Sequence, residues 1–559
     1  MAKWFDNAVI YQIYPKSFQD SNGDGIGDLA GIRRRIPYLV SLGINAVWLN
    51  PVFVSPQVDN GYDIANYFAI DPAMGTMADM EGLIDDLHQH GIHLIMDFVL
   101  NHTSDQHPWF QDAIADPKSI YRDYYLFAGE NGKRPNNWGS FFGGSVWAPD
   151  PAGTGQSYFH LFDKHMPDLN WQNPEVRHAM GDVADFWLNK GVDGLRLDAF
   201  IHIAKADLRQ DFPLAPGEKS SVVAEPFFAN LPNVQAWLRP FCAQIRTDYP
   251  DTFLLGEAAS ANVNLAVDYT SKHNGLMDSV ITFRTFADDA SQVDPRIPAG
   301  MQPQPMDIPG FKQNQVTWQQ TLAGVSLPVL YWNNHDMPRV ATRYAKPGPL
   351  HDTQVKSLAM LMYLQRGIPV IYYGEELGME NMALPDQAAF KDLNVDDFFA
   401  QAKAAGYEDD AILTMVNATH KMPARGPMQW ETGANSGFST YQPWLDGQRD
   451  ETRNARDEEA QGGSVLHFYQ ALIKLKKTPL FAGGDDFLQT TDDRSYVYER
   501  RLDGARALVA INLTDQPLTL AAPSAGATAR LTAGTATVSG DQLTLSPFAG
   551  VVYVEEMED

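Results

Sequence analysis

The chain has 559 residues, 44% of them hydrophobic and 20% charged, enough for two or three domains around a large core. Its 42 basic residues against 69 acidic ones give a net charge of −27, which argues against a nucleic-acid backbone or an anionic membrane as partner and suits a neutral substrate. A single cysteine, Cys242, allows no internal disulfide and no thiolate metal cluster; it lies in a helical-looking run and is expected to be a buried, inert thiol. The stretch from Met1 to Asp6 leads into a short apolar strand with no secretory core or transmembrane run, so a cytoplasmic protein is expected.

Residues 9–14 predict the first strand. Directly after it, Asp20, Asn22, Asp24, the Ile26 carbonyl and Asp28 place oxygen donors at alternating positions of a glycine-rich loop, the spacing with which a loop wraps a hard cation. Position twelve of that loop is Gly31 and no helix pair flanks it, so this is not an EF-hand. A bare loop of Asx turns is the plain alternative; a structural calcium, with magnesium as second choice, is the expectation, and no organic cofactor is expected. Residues 32–42 have helical spacing and 46–49 form the second strand. The following loop carries Asp59-Asn60-Gly61-Tyr62-Asp63. Asn60-Gly61 is a turn signal, so Asp59 and Tyr62 are either surface turn residues or a carboxylate and an aromatic platform facing a sugar.

A helix over 80–90 precedes a third strand at 92–97. From 104 to 171 aromatics crowd together with Gly, Pro, Asp and Asn, and periodicity is weak. A structureless loop of that length is unusual inside a compact domain, so a small inserted domain is expected. A helix over 175–190 then leads to Gly194-Leu195-Arg196-Leu197-Asp198, which alternates with period two and reads as a strand. Unpaired charges there would cost several kcal/mol, so Arg196 and Asp198 are either a structural ion pair or have chemistry to perform. Two later apolar runs, from 253 and from 330, end in Glu257 and Asp336. Three strand ends bearing carboxylates point to one rim of a parallel barrel, where catalytic residues collect.

Further strands near 276–282, 328–332 and 368–373, with helices at 233–247 and 354–366, complete an α/β chain in which eight strands alternate with helices, a TIM-type (β/α)8 barrel. A long excursion follows from 374 to about 463, and a helix at 464–476 closes the barrel. Short β pieces at 495–498, 507–511, 528–538 and 551–554 predict a C-terminal antiparallel β-sandwich without chemistry of its own. The expected domains are a barrel of 1–103 and 172–480, an inserted domain of 104–171, and a β domain of 481–559.

Four segments resemble the signature regions of the alpha-amylase superfamily (glycoside hydrolase family 13): 97–102, 194–198, Gly256-Glu257-Ala258 and Asn334-His335-Asp336. The opening Ile10-Tyr11-Gln12-Ile13-Tyr14-Pro15, the loop after it, Asn60-Gly61-Tyr62-Asp63 and Pro427-Met428-Gln429-Trp430 are most similar to the oligo-1,6-glucosidase and alpha-glucosidase branch. The resemblance implies a barrel with a domain B after the third strand and a β domain C at the end. It implies a retaining, exo-acting alpha-glucosidase that hydrolyses terminal bonds of short malto- and isomalto-oligosaccharides by double displacement. On that match Asp198 is the nucleophile, Glu257 the acid/base and Asp336 the third carboxylate that holds the sugar; retention needs the first two about 5–5.5 Å apart. Arg196 is expected to keep the nucleophile ionised and oriented. His102 and His335 would donate to sugar hydroxyls, with Tyr62 and Phe142 as walls. Asp59 and Arg425 would clasp the non-reducing glucose and close the groove behind it; a salt bridge on the rim is the plain reading of that pair.

Two positions depart from the strict 1,6-specific pattern. Ala199 follows the nucleophile where valine is usual, and Met337 follows Asp336 where a glutamine is common, which removes a donor near the leaving group. Strict oligo-1,6-glucosidases, trehalose-6-phosphate hydrolases and sucrose isomerases or glucosyltransferases share the scaffold and stand as alternatives. Arg284 is the basic residue near the sixth strand to consider for a phosphate. A non-catalytic carbohydrate-binding or transporter-associated protein would lack one of the two catalytic carboxylates, and both are present.

Overall fold

The computed structural model describes residues 3–214, 222–489 and 492–555; Met1 and Ala2 of the amino-terminal stretch lie outside the described residues. Eight strands form one parallel sheet: β1 Ile10–Ile13, β2 Ala46–Leu49, β3 His93–Val99, β4 Gly194–Asp198, β5 Phe253–Glu257, β6 Ser279–Ile281, β7 Val329–Leu330 and β8 Ile368–Tyr372. Hydrogen-bonded ladders run β6-β5-β4-β3-β2-β1-β8-β7, so β1 pairs with β8 and the sheet curls into a barrel. Between β6 and β7 there is no ladder; side chains span the gap, with Ser279 Oγ donating to the Leu327 carbonyl at 2.6 Å and the Tyr331 hydroxyl to the Thr282 carbonyl at 2.7 Å. Among the described residues no helix is long and apolar enough to cross a membrane.

Alternation sorts each strand into two faces. Ile10, Ala46, Trp48, Ile95, Phe253, Leu255, Val329 and Val370 fill the barrel interior. Tyr11, Val47, Leu94, Leu195, Leu197, Leu254 and Ile371 face outward into the cluster shared with the helices. Those helices include Met77–Gln89, Pro174–Asn189, Pro232–Asp248, Ile308–Thr321, His351–Tyr363 and Val465–Lys476. Cys242 is fully buried in the helix Pro232–Asp248, and burial pushes its thiol up to about 12, as an inert thiol requires.

The segment between β3 and Pro174–Asn189 carries a helix, Pro108–Ala115, and a three-stranded antiparallel sheet of Phe127–Ala128, Ser157–Phe159 and Trp147–Pro149. The excursion after β8 folds into helices Leu393–Ala404 and Asp409–Thr419 over their own apolar cluster. At the end of the chain β9 Asp485–Leu488, β10 Ser495–Leu502, β11 Ala505–Asn512, β12 Leu518–Ala521, β13 Thr528–Ala533, β14 Ala536–Ser539, β15 Gln542–Leu545 and β16 Gly550–Glu555 make two antiparallel sheets. Their orders are β9-β10-β11-β16-β13 and β12-β15-β14, with an apolar cluster that draws on both.

Three elements differ from the sequence reading. The helix expected over 32–42 is two, Leu29–Arg34 and Ile36–Leu42, because Pro37 lacks an N–H and its ring crowds the preceding turn. β3 runs on to Val99, where it pairs with Asp198. The piece expected over 528–538 is β13 and β14, strands of different sheets separated at Gly534, whose φ of +71 suits glycine.

Candidate active site

Strand register builds the centre of the site. Arg196 on β4 lies beside Asp97 on β3 and Leu255 on β5, so the next inward positions of β4 and β5, Asp198 and Glu257, are neighbours. The Arg196 guanidinium is fully buried and touches three carboxylates: Nη1 meets Asp97 Oδ1 at 2.7 Å and Asp198 Oδ1, and Nη2 meets Glu257 Oε1 at 2.9 Å. Asp97 is held by Trp48 Nε1 and Asn50 Nδ2, each at 3.1 Å, and by the Tyr62 hydroxyl at 2.9 Å. Asp198 and Glu257 are thus held side by side on the two η nitrogens of one guanidinium, and the Ala199 amide donates to Glu257 Oε2 at 3.1 Å.

Burial pushes the Asp198 carboxyl well above the usual carboxylate range; Arg196 pulls it down, and the charges of Glu257 and Asp97 push it up again. Arg196 Nη1 binds Asp198 Oδ1 and so fixes the direction in which that carboxyl points.

Opposite this pair lies a polar wall from the β2, β7 and β8 loops. Gln12 Nε2 donates to His335 Nδ1 at 2.9 Å and is itself fixed by Asn50 Oδ1 at 3.0 Å, which leaves the His335 proton on Nε2. That nitrogen faces Asp336 Oδ2 at 3.0 Å and the Tyr62 hydroxyl at 2.6 Å, with the two rings stacked 6° from parallel. Burial holds His335 well below the usual histidine range, so its contact with Asp336 is a hydrogen bond of a neutral ring. In the free site the His335 donor is thus spent on protein partners. Burial alone would raise Asp336, but His335, Lys421 and Arg425 together hold it below the usual carboxylate range. Arg425 Nη2 binds Asp336 Oδ1 at 3.0 Å while its Nε donates to the His335 carbonyl at 2.7 Å.

Asp59 stands in a turn with Asn60 at φ +52 and Gly61 at φ +106, as Asn-Gly suggested. Among the described ion pairs none joins Asp59 to Arg425, so the rim salt bridge is absent; the two residues instead line one cavity of about 270 Å³. Burial pushes Asp59 up to about 6, with Lys421 and Arg425 opposing. A second cavity, about 610 Å³, meets the first at Asp59, Phe142, Lys421 and Arg425.

Tyr62, His102, Phe142, Asp198, Glu257, His335 and Asp336 line the same cavity, and Arg196 lies beneath it. Burial holds His102 at about 4, and its Nε2 has no protein partner among the described residues. Lys205 anchors that corner: its buried ammonium meets Asp168 Oδ2 at 2.6 Å, Asn101 Oδ1 at 2.9 Å and the His202 carbonyl. Phe141, Phe162, Ile201, His202, Ala259, Phe283 and Lys421 also line the cavity and were not singled out from sequence. Met337 does not line it; the side chain joins the barrel-interior cluster, so the thought that it faces the leaving group is corrected. Arg284 is exposed and lies off the cavity.

In the loop after β1, Asp20 Oδ1 accepts the amides of Asn22 and Gly23, and Oδ2 that of Gly25. Asn22 Oδ1 accepts from Asp24, Asp24 Oδ1 from Ile26, and Asp28 caps Leu29–Arg34 through the Gly31 amide. Glycine is needed at Gly25, where a Cβ would sit 2.2 Å from the Gln442 carbonyl. Among the described residues no three acidic, histidine or cysteine side chains converge as a metal cluster. Of the donor set Asp20, Asn22, Asp24, Ile26 and Asp28, all oxygens and so suited in type to a hard cation, the side-chain oxygens of Asn22, Asp24 and Asp28 accept one donor each and keep a lone pair, whereas both Asp20 oxygens already accept two.

A parallel barrel whose rim sets two carboxyls on one guanidinium and a third opposite them has the groups a glycoside hydrolase needs. The model of the alpha-amylase catalytic domain matches residues 12–484, and the chain belongs to that family. It is 37% identical over 520 residues to the probable oligo-1,6-glucosidase 3 of Bacillus subtilis (strain 168), covering 92% of this chain and 91% of that one. It is 36% identical over 567 residues to the trehalose-6-phosphate hydrolase of the same organism, covering 98% of each. Among solved structures, a family GH13_31 enzyme superposes with a TM-score of 0.91 at 61% identity, covering 99% of this chain and all of that one. The chain is a retaining glycosidase of the oligo-1,6-glucosidase and alpha-glucosidase branch and acts on short alpha-glucosidic oligosaccharides.

Proposed function

We propose that the chain is an exo-acting alpha-glucosidase that releases one glucose at a time from the non-reducing ends of short malto- and isomalto-oligosaccharides. The observation that carries this reading is the grip of the Arg196 guanidinium on the carboxyls of both Asp198 and Glu257. Asp198 attacks the anomeric carbon, Glu257 protonates the leaving oxygen and then draws a proton from water, and Asp336 holds glucose hydroxyls. Glu257 stands beside Asp198 on the neighbouring strand, placed to give the leaving oxygen its proton. Asp336, kept ionised by His335, Lys421 and Arg425, accepts hydroxyl donors throughout. His102 contributes Nε2, Tyr62 and Phe142 wall the sugar, and Asp59 with Arg425 bounds its non-reducing end. Calcium, or magnesium, is proposed for the loop of Asp20, Asn22, Asp24, Ile26 and Asp28, where it would tie the loop down without entering the chemistry. A cytoplasmic setting is proposed, in keeping with a single cysteine.

A product chromatogram after incubation with maltose, isomaltose, sucrose, trehalose and trehalose phosphate tests the reading. Maltose and isomaltose should both give glucose as the alpha anomer. Glucose phosphate from trehalose phosphate, a sucrose isomer, or activity on isomaltose alone would each replace it with one of the alternative activities of this scaffold.

A further inference from the structure

The two halves of the cavity differ in chemistry. Groups able to hold several sugar hydroxyls come from the loops after β2, β3, β7 and β8. Around Glu257, where any leaving group or acceptor must place its oxygen, the barrel side of the lining is apolar, with Ile201, Ala259 and Phe283, and Phe141 adjoins it through His202. Ala259 is two residues beyond Glu257, and Phe283 two beyond Ile281, the register partner of Glu257; the Phe283 amide donates to the Ala259 carbonyl at 3.1 Å.

One polar side chain, His202, lies on that half. His202 Nδ1 donates to the Phe228 carbonyl at 3.0 Å, which leaves Nε2 as a lone-pair acceptor for one hydroxyl. Its ring packs 5.4 Å from Phe141 and 6.2 Å from Phe162. Lys421 belongs to the other half: it is drawn toward Asp336, 3.6 Å away, and lies over the Phe142 ring. A sugar docked here would bury most of its hydroxyls without partners, each costing its desolvation. A flat apolar body with one or two hydroxyls would bury the same area against rings at no such cost.

We propose that this enzyme transfers its glucosyl unit to phenols and apolar alcohols in preference to sugars. The inference rests on the retaining alpha-glucosidase reading and goes beyond it to the acceptor. In the step, the bond between the Asp198 carboxylate oxygen and the anomeric carbon breaks and a bond from the acceptor oxygen to that carbon forms. The acceptor proton passes to Glu257, and Asp198 leaves as a free carboxylate. Water and the acceptor compete for one intermediate, and aromatic packing raises the occupancy of the acceptor beside it.

The test uses 4-nitrophenyl alpha-glucoside as donor with hydroquinone or glucose as acceptor at equal molar concentration. Released 4-nitrophenol counts turnovers, and its excess over free glucose, corrected for any glucose added, counts transfers. The wild type should transfer to hydroquinone several-fold more than to glucose. Ala259→Asn and Phe283→Asn should each shift that preference several-fold toward glucose; being a ratio within one protein sample, it does not depend on the folded fraction. Equal or better transfer to glucose in the wild type, or an unmoved ratio in both variants, overturns the proposal. A wild type that matches 4-nitrophenol one for one with glucose overturns the acceptor proposal alone, whereas no 4-nitrophenol at all overturns the glucosidase reading with it.

Discussion

The backbone N–H of Ala199 donates to Glu257 Oε2 at 3.1 Å from a residue whose φ is +47. The turn that follows Asp198 is thereby tied to the acid/base across the β4–β5 boundary. A left-handed conformation costs an L-residue about 1–2 kcal/mol, and strain of this kind gathers where a site fixes its geometry. Ala199 both shapes the cavity wall and sets the Glu257 carboxyl.

Substitution at Ala199 should separate those effects. Ala199→Gly relieves the strain and should leave the unfolding temperature equal or slightly higher. Ala199→Val adds β-branching to a positive φ and should destabilise by about 1–2 kcal/mol. Its added volume should also lower the 1,4 rate relative to the 1,6 rate by roughly 1–3 kcal/mol in transition-state terms, since a 1,6 bond has one more torsion to keep the second glucose off the wall. The measurement is kcat/KM on maltose and isomaltose, taken as a ratio. A valine variant with the wild-type ratio would remove Ala199 as a linkage determinant.

Lys205→Met should be costly for a different reason. It strands the buried Asp168 carboxylate, and breaking such a pair costs about 3–5 kcal/mol. Because the Asp168 main chain pairs with that of His102 and its carboxylate holds the neighbouring Asn101 amide, KM should rise more than kcat falls. Unfolding in denaturant and steady-state kinetics check both parts, and unchanged stability would show the pair to be incidental.

Glu375, fully buried just beyond β8, makes a prediction about pH. Its Oε1 accepts from the hydroxyls of Tyr363 and Tyr469, Oε2 has no partner among the described residues, and burial pushes its pKa from 4.5 up to about 8. A carboxyl that holds its proton more tightly folded than unfolded stabilises the fold fully below pH 4.5, and that stability is lost as pH rises through about 8. At about 1.4 kcal/mol per pH unit the loss reaches several kcal/mol. Glu375→Gln cannot ionise, so its unfolding temperature should fall less than that of the wild type across this window. Parallel curves for the two proteins would contradict the assignment.

Legibility tracked how local the signal was. Asp198, Glu257 and Asp336 announced themselves because a charge closing an apolar run is costly to bury unless the site uses it, and register then brought Asp198 and Glu257 together. Lys205 gave no such signal: its partner Asp168 is distant in sequence and lies in the inserted segment. Ala259 and Phe283 read as ordinary apolar residues, since only the closed barrel shows that they face Glu257. Met337 misled for the converse reason, as adjacency to Asp336 says nothing about which way a side chain turns after a strand end. The break at Pro37 was written in the sequence, and amphipathic spacing across it masked the stop.

The loop after β1 is pinned to the excursion that supplies Trp444 and Arg425: the Asp20 amide donates to the Phe438 carbonyl at 3.0 Å, Ser439 Oγ to Asp20 Oδ2 at 2.5 Å, and the Trp444 amide to the Gly25 carbonyl at 2.9 Å. If a cation completes the loop, chelation or Asp24→Ala should lower the unfolding temperature more than it lowers kcat. Untreated protein that holds neither calcium nor magnesium by elemental analysis, and does not respond to chelator, would rule the cation out.

The central claim is that Asp198 forms the covalent glucosyl intermediate, and trapping tests it most directly. A 5-fluoro-alpha-glucosyl fluoride slows breakdown of the intermediate more than its formation, so the labelled enzyme can be digested and mapped by mass. The label should fall on the peptide containing Asp198, with Asp198→Asn unlabelled and folded. A label on Glu257 or Asp336, or full turnover by the Asp198→Asn variant, would contradict the account.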